Sequence, residues 1–185
     1  MLRIDPDSIA QGRSTVDHAS EFGIVWVHAV STTSSDPEPY SEAKLLLASA
    51  AAAHSEAVRH QVPVVFVAIL PMPGIYVGPE GLVYDLALST MTSLMRTQIR
   101  QWTSGGCRIV GLVHAGFGID DGTPGKRDSG TIRDRSPMKD SVSIDDLVDA
   151  LAYVGSPATS YLSGVLLHID GGSQAYSWVH PARDH

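Results

Sequence analysis

Tyr84, His28 and His114 are the side chains whose types and positions best suit proton chemistry. A phenol can act as a general acid or base, and a histidine does so near neutral pH. His28 lies in the apolar run IVWVHAV (24–30), and His114 directly follows the apolar run CRIVGLV (107–113). Ligands of open α/β sheets bind outside the carboxyl ends of the strands, so the two histidines are expected at one edge, within reach of each other. Two separately satisfied histidines account better for the pattern, because a histidine pair without carboxylate or cysteine support is a weak catalytic or metal signal. Asp120-Asp121 beside Lys126-Arg127 reads as a solvated loop, and Asp145-Asp146 as helix-end electrostatics. Cys107, the one cysteine, reads as a buried small residue rather than part of a disulfide or zinc site. No metal site is expected.

The elements that would position these groups are marked by hydrophobic pattern. The two runs above, with VVFVAIL (64–70) and VLLHID (165–170), are β-branched and lack polar alternation, as in strands covered on both faces. Helical patterns separate them. Residues 41–60 are alanine-rich, and from Tyr84 the positions Ala87, Leu88, Met91, Leu94, Met95, Ile99 and Trp102 form one stripe closed by Ser104-Gly105-Gly106. A third helix is expected to open at the cap Ser143, carry Ile144, Leu147, Val148 and Leu151 inward, and close at Gly155-Ser156-Pro157. Strands alternating with helices imply an α/β fold with a mostly parallel sheet between helical layers. The polar stretch 120–141 reads as a long loop over the carboxyl edge.

Composition narrows the class further. A 185-residue chain with 43% hydrophobic and 18% charged residues suits one soluble domain, placed at 1–178 with a tail at 179–185. A formal charge of −7 with three lysines disfavours a nucleic-acid partner, since phosphates would be repelled. No stretch reads as a signal peptide or membrane span, so the expected location is cytoplasmic.

Residues 147–178, LVDALAYVGSPATSYLSGVLLHIDGGSQAYSW, carry Ser156-Pro157, Ser160-Tyr161-Leu162-Ser163-Gly164 and Asp170-Gly171-Gly172 in order. This segment resembles the C-terminal part of the short-chain dehydrogenase/reductase (SDR) family. Arg135-Ser136-Pro137-Met138 and IVGLVHAGFG (109–118) are similar to the stretches before it, with Ala115 where the family has proline. The resemblance implies a truncated Rossmann-like fold. It also implies that Tyr84 heads the family's Tyr-x-x-x-Lys helix, although the lysine position is Leu88. The family's serine falls near Ile69 to Pro71, where no hydroxyl stands, and its helix asparagine near Ala43 and Lys44. Val27-His28-Ala29-Val30 replaces its Asn-Asn-Ala-Gly. Residues 1–22 hold one glycine, Gly12, in place of the glycine-rich pyrophosphate turn and its strand.

Without the lysine, Tyr84 keeps a pKa of about 10, and roughly one molecule in a thousand is phenolate at pH 7. Loss of a positioning hydroxyl removes roughly 3 kcal/mol more of transition-state stabilisation. The resemblance therefore implies a non-catalytic subunit that binds no cofactor itself and supports an intact, NAD(P)-dependent homologue. The expected contact runs through helices 41–60 and 84–102, in a heterotetramer with two copies of each chain. Family precedents oxidise a β-hydroxy, benzylic-type substrate bound to a carrier, in antibiotic biosynthesis, or to CoA. The alternatives are a cofactor-independent cyclase, dehydratase or isomerase using Tyr84 with His114 or His28, and a homo-oligomeric binding protein. Tyr84 itself then reads as a helix-start aromatic packed on the sheet, its functional reading being a neutral hydrogen-bond donor.

Overall fold

The structure, a computed structural model, describes residues 23–30, 40–72, 79–115 and 136–176, and the backbone alone of 15–20 and 79–81. In chain order the elements are β1 (Thr15–Ser20), β2 (Gly23–Ala29), α1 (Ser41–His60), β3 (Val64–Pro71), α2 (Pro79–Ser104), β4 (Cys107–His114), α3 (Ile144–Gly155), a 3-10 turn (Pro157–Thr159), β5 (Val165–Ile169) and the short α4 (Ser173–Tyr176). They form one five-stranded sheet in the order β1-β2-β3-β4-β5. The last four strands are parallel, in the register Val27↔Val67, Val67↔Val110 and Leu112↔Leu167. The α/β fold expected from the sequence is the one observed.

Every residue of β3 is buried, as an unalternating apolar run requires of a central parallel strand. Strand alternation divides the core in two. Phe66, Ala68 and Leu70 face α1 and α2, whose Leu46, Ala50, Ala53, Ala87, Met91 and Met95 pack there. Val65, Val67 and Ile69 face α3 through Leu147, Leu151 and Val154. His54 of α1 stacks on Trp102 of α2 with ring centroids 5.0 Å apart. Trp26 donates its indole N–H to Ser49 Oγ at 2.9 Å, which ties α1 to β2.

With β2 to β5 advancing in one direction, helices on opposite faces require crossovers of opposite hand. The β4-α3-β5 connection therefore differs in hand from the two before it, and one of the two hands is rare among parallel strands. The twenty-nine residues between β4 and α3 (115–143) give the chain enough length to change faces.

α3 starts where its cap predicts. Ser143 Oγ accepts from the Asp146 N–H at 3.1 Å, and the Asp146 carboxylate accepts from the Ser143 N–H at 2.8 Å. The Ser143 hydroxyl, 2.7 Å from the Asp146 carboxylate, and then the Ser143 N–H hold that carboxyl below its ordinary pKa. α2 starts earlier than expected, at Pro79 instead of Tyr84, because proline is preorganised for the first helical position. Tyr84 thus sits in its second turn.

The least expected element is β1. It pairs antiparallel with β2, Val16 opposite Trp26 and Thr15 opposite Val27, so β2 is not a bare edge. The chain re-enters the sheet at Gly23, whose φ of +111° suits glycine and whose missing Cβ leaves room for the Pro63 carbonyl.

Candidate functional site

At the carboxyl edge of the parallel strands, where this architecture places ligands, the chain leaves β2 at Val30, β3 at Met72, β4 at Ala115 and β5 at Asp170. Backbone pairing continues to the rim: the Val30 N–H donates to Ile69 O at 3.1 Å and the Met72 N–H to His114 O at 2.8 Å. Val30, Met72, Ala115 and Tyr84 all belong to the buried core on the α1 and α2 face. This part of the rim is apolar and packed.

Tyr84 is 4% exposed among these residues. One turn later, where the resemblance places a lysine, Leu88 packs against the same core. Ile69, Leu70 and Pro71, at the family's serine position, are buried and carry no hydroxyl. Lys44, near the asparagine position, is exposed on α1.

The two histidines do not converge. His28 pairs with Ala68, which faces α1 and α2, whereas His114 pairs with Pro71 and alternates with Val110 and Leu112 toward α3. They stand two strands and three residues apart, about 14 Å between Cα atoms, on opposite sides of the sheet. The expectation that they approach each other is corrected by this alternation. Tyr84 shares a face with His28 and is divided from His114 by the sheet. Burial lowers the pKa of each histidine to about 4, so both are neutral at pH 7 and poor proton acceptors. Cys107 is buried, its thiol pushed up to about 12, and offers no thiolate.

Polar side chains do converge beyond β5, but to hold backbone. The buried Asp170 carboxylate accepts from the Gly172 N–H at 2.9 Å and the Gln174 N–H at 2.8 Å. Ser136 Oγ donates to Gly171 O at 3.2 Å, and the Met138 N–H donates to the same oxygen at 3.3 Å. The Ser136-Pro137-Met138 and Asp170-Gly171-Gly172 motifs, recognised separately in the sequence, are thus one fastening. Arg108 has a similar role and was missed as a site residue, because a lone arginine in a strand run carries no motif. Its guanidinium donates to the carbonyls of Val154 (3.0 Å), Thr159 (2.9 Å) and Leu162 (3.0 Å), pinning the end of α3 and the following turn to β4.

Asp120-Asp121, Lys126-Arg127, Gly12, Arg135 and 179–185 lie outside the described residues. Among the described residues, no group of three or more histidines, cysteines or acids is placed to hold a metal ion. Nor is any helix there long and apolar enough to cross a membrane.

No family model and no curated protein matches the chain. Solved structures do. An oxidoreductase of the short-chain dehydrogenase/reductase family from Burkholderia thailandensis is similar over 82% of this chain and 65% of its own, with a TM-score of 0.64 and 14% identity. The chain has the fold of the SDR proteins. Enoyl-[acyl-carrier-protein] reductase (NADH) from Aquifex aeolicus is similar over 81% of this chain and 65% of its own, with a TM-score of 0.66 and 16% identity. For sorbitol-6-phosphate 2-dehydrogenase from Erwinia amylovora the coverages are 80% and 68%, the TM-score 0.62 and the identity 13%. The chain spans about two thirds of the length of each of these SDR-fold proteins.

Proposed function

We propose that this SDR-fold chain is an auxiliary subunit of a heteromeric, NAD(P)-dependent oxidoreductase, supporting assembly of a homologous catalytic chain without transferring hydride itself. The observation that carries the reading is the place of β1. In a Rossmann-type sheet of order 3-2-1-4-5-6, the strand carrying the phosphate-binding turn lies beside strand 4, and ligand binds in the crevice between them. The sequence resemblance makes β2 the counterpart of strand 4, and β1 pairs antiparallel along its outer edge. The buried Tyr84, with Leu88 where the resemblance places the lysine, adds to it.

The motifs best retained are the ones that fasten backbone. The outer surfaces of α1 and α2 expose Leu45, Leu47, Val58 and Leu82, apolar area suited to assembly. The catalytic chain would supply the NAD(P) site and the chemistry, the substrate class being a β-hydroxy group on a carrier-bound or CoA-bound substrate.

The test is co-expression with homologous dehydrogenases from the same genome, followed by mass measurement of the intact complex. The expected result is a complex with equal numbers of the two chains, whose dehydrogenase activity falls when this chain is omitted. An isolated chain that reduces a ketone with NADPH unaided would overturn the proposal.

A further inference from the structure

α1 and α2 meet at the amino edge of the sheet through two rings. The His54 imidazole stacks on the Trp102 indole, with centroids 5.0 Å apart and planes inclined by 10°. Trp102 is buried, whereas His54 is half-buried and within reach of solvent protons. The imidazole also reaches the carboxyl end of α2. A Cβ on Gly105 would stand 3.1 Å from His54 Nε2, 3.3 Å from Gln101 O and 3.4 Å from Trp102 O, so the ring nitrogen and the helix-end carbonyls crowd around one point. Gly105 adopts no positive φ, and room for the ring accounts for it instead. A helix carboxyl end carries partial negative charge and favours a cation, yet the last turn of α2 holds no basic residue. His54, from the neighbouring helix, stands where one would act.

We propose that His54 is a proton-operated fastener between α1 and α2. Neutral, the imidazole makes a stacking contact. Protonated, it lays a positive charge on the indole face and sets the same charge beside the carboxyl end of α2. Both gains have one sign, so the two helices are held more tightly as pH falls through the range just below neutrality in which histidine gains its charge. Among the described residues, the charged groups nearby are turned away or committed elsewhere. On α1, Glu56 pairs with Arg59 and His60, and helical spacing points all three away from Trp102. α2 presents the uncharged Gln98 and Gln101 toward α1 and keeps Arg96 and Arg100 on its solvent side. β3 contributes the apolar Val64 and Phe66 to the core beneath. Cys107 of β4, in the same core, is held neutral, its thiol pushed up to about 12. The device goes beyond the auxiliary-subunit reading and does not depend on it.

The test compares the full chain with His54→Gln and His54→Arg between about pH 8 and about pH 5.5. A protonated imidazole quenches an indole stacked on it, so wild-type emission is expected to fall on acidification by up to about one third, Trp102 being one of three tryptophans. His54→Gln should stay bright, and His54→Arg, which keeps a cation on the ring at every pH, should stay dim. Urea unfolding reads the fastening itself. The folded-to-unfolded ratio of the wild type, divided by that of His54→Gln, should rise about fivefold from about pH 8 to about pH 5.5. His28 and His114 titrate alike in both chains and drop out of that comparison. A ratio that stays level, or emission of His54→Gln that follows pH as the wild type does, would overturn the inference. Should His54→Gln fail to fold, a folded His54→Arg chain whose emission still follows pH overturns it equally.

Discussion

His28 and His114 are held on opposite faces of one sheet, the first paired with Ala68 and the second with Pro71. Two imidazoles so placed cannot share a proton, a metal ion or a substrate atom. Their common property is burial, which keeps both neutral down to about pH 4.

That property makes the fold sensitive to acid. The folded-state pKa of each histidine lies below its ordinary value of 6.5, so the unfolded chain binds more protons between the two values. Stability from this source is fully present above pH 6.5, is lost as pH falls toward 4, and changes no further below that. Within the window the slope approaches about 1.4 kcal/mol per pH unit for each histidine. Urea midpoints measured from pH 7.5 to 4.5 should fall steeply in the wild type. They should fall about half as steeply in His28→Gln or His114→Gln, one of the two titrations having been removed. An unchanged slope in both variants would show that neither histidine governs the acid limb.

Arg108 should matter more to stability than any residue the sequence marks as chemical. Its guanidinium serves three carbonyls from the end of α3 to the turn before β5. Arg108→Met should cost about 3 kcal/mol, since the carbonyls lose a charged donor that methionine cannot replace. Chemical denaturation measures it, and a loss below about 0.5 kcal/mol would mean that water serves those oxygens equally well.

Gly111 is a packing requirement. A Cβ there would collide with Leu166 Cδ2 from β5. Gly111→Ala should therefore destabilise by about 1–3 kcal/mol, and Leu166→Val in the same chain should recover part of the loss by withdrawing a methyl group. Strictly additive effects in the double mutant would show that the two side chains do not meet.

Tyr84→Phe tests whether the phenol has a chemical role. Buried in the core beside Leu88, Tyr84 should act by packing. The variant should lose about 1 kcal/mol of stability through its hydroxyl, and a reconstituted complex should keep its turnover at saturating substrate. A fall of about a hundredfold or more, the scale of a lost general acid or base, would assign the phenol to catalysis.

The four parallel strands and the cap of α3 were legible because each rests on local pattern: an unbroken β-branched run, or Ser143 three residues before Asp146. β1 was not, since Thr15-Val16-Asp17-His18-Ala19-Ser20 is short and mostly polar, and it becomes a strand only when β2 offers its edge. The divergence of the histidines was half legible. Alternation within each run fixes which neighbours share a face, but only the pairing of both strands with β3 fixes whether those faces are the same. Nothing local announced that α3 would cross to the other side of the sheet, or that Arg108 would find three carbonyls there.

Nucleotide stoichiometry tests the central claim most directly. NADPH is titrated calorimetrically into the isolated chain and into its complex with a catalytic partner. The isolated chain should give no heat of binding up to about 1 mM, and the complex should bind one nucleotide for every two chains, weaker than about −4 kcal/mol being negligible here. Micromolar binding by the isolated chain, or one nucleotide per chain in the complex, would contradict the assignment of the seat beside β2 to β1 alone.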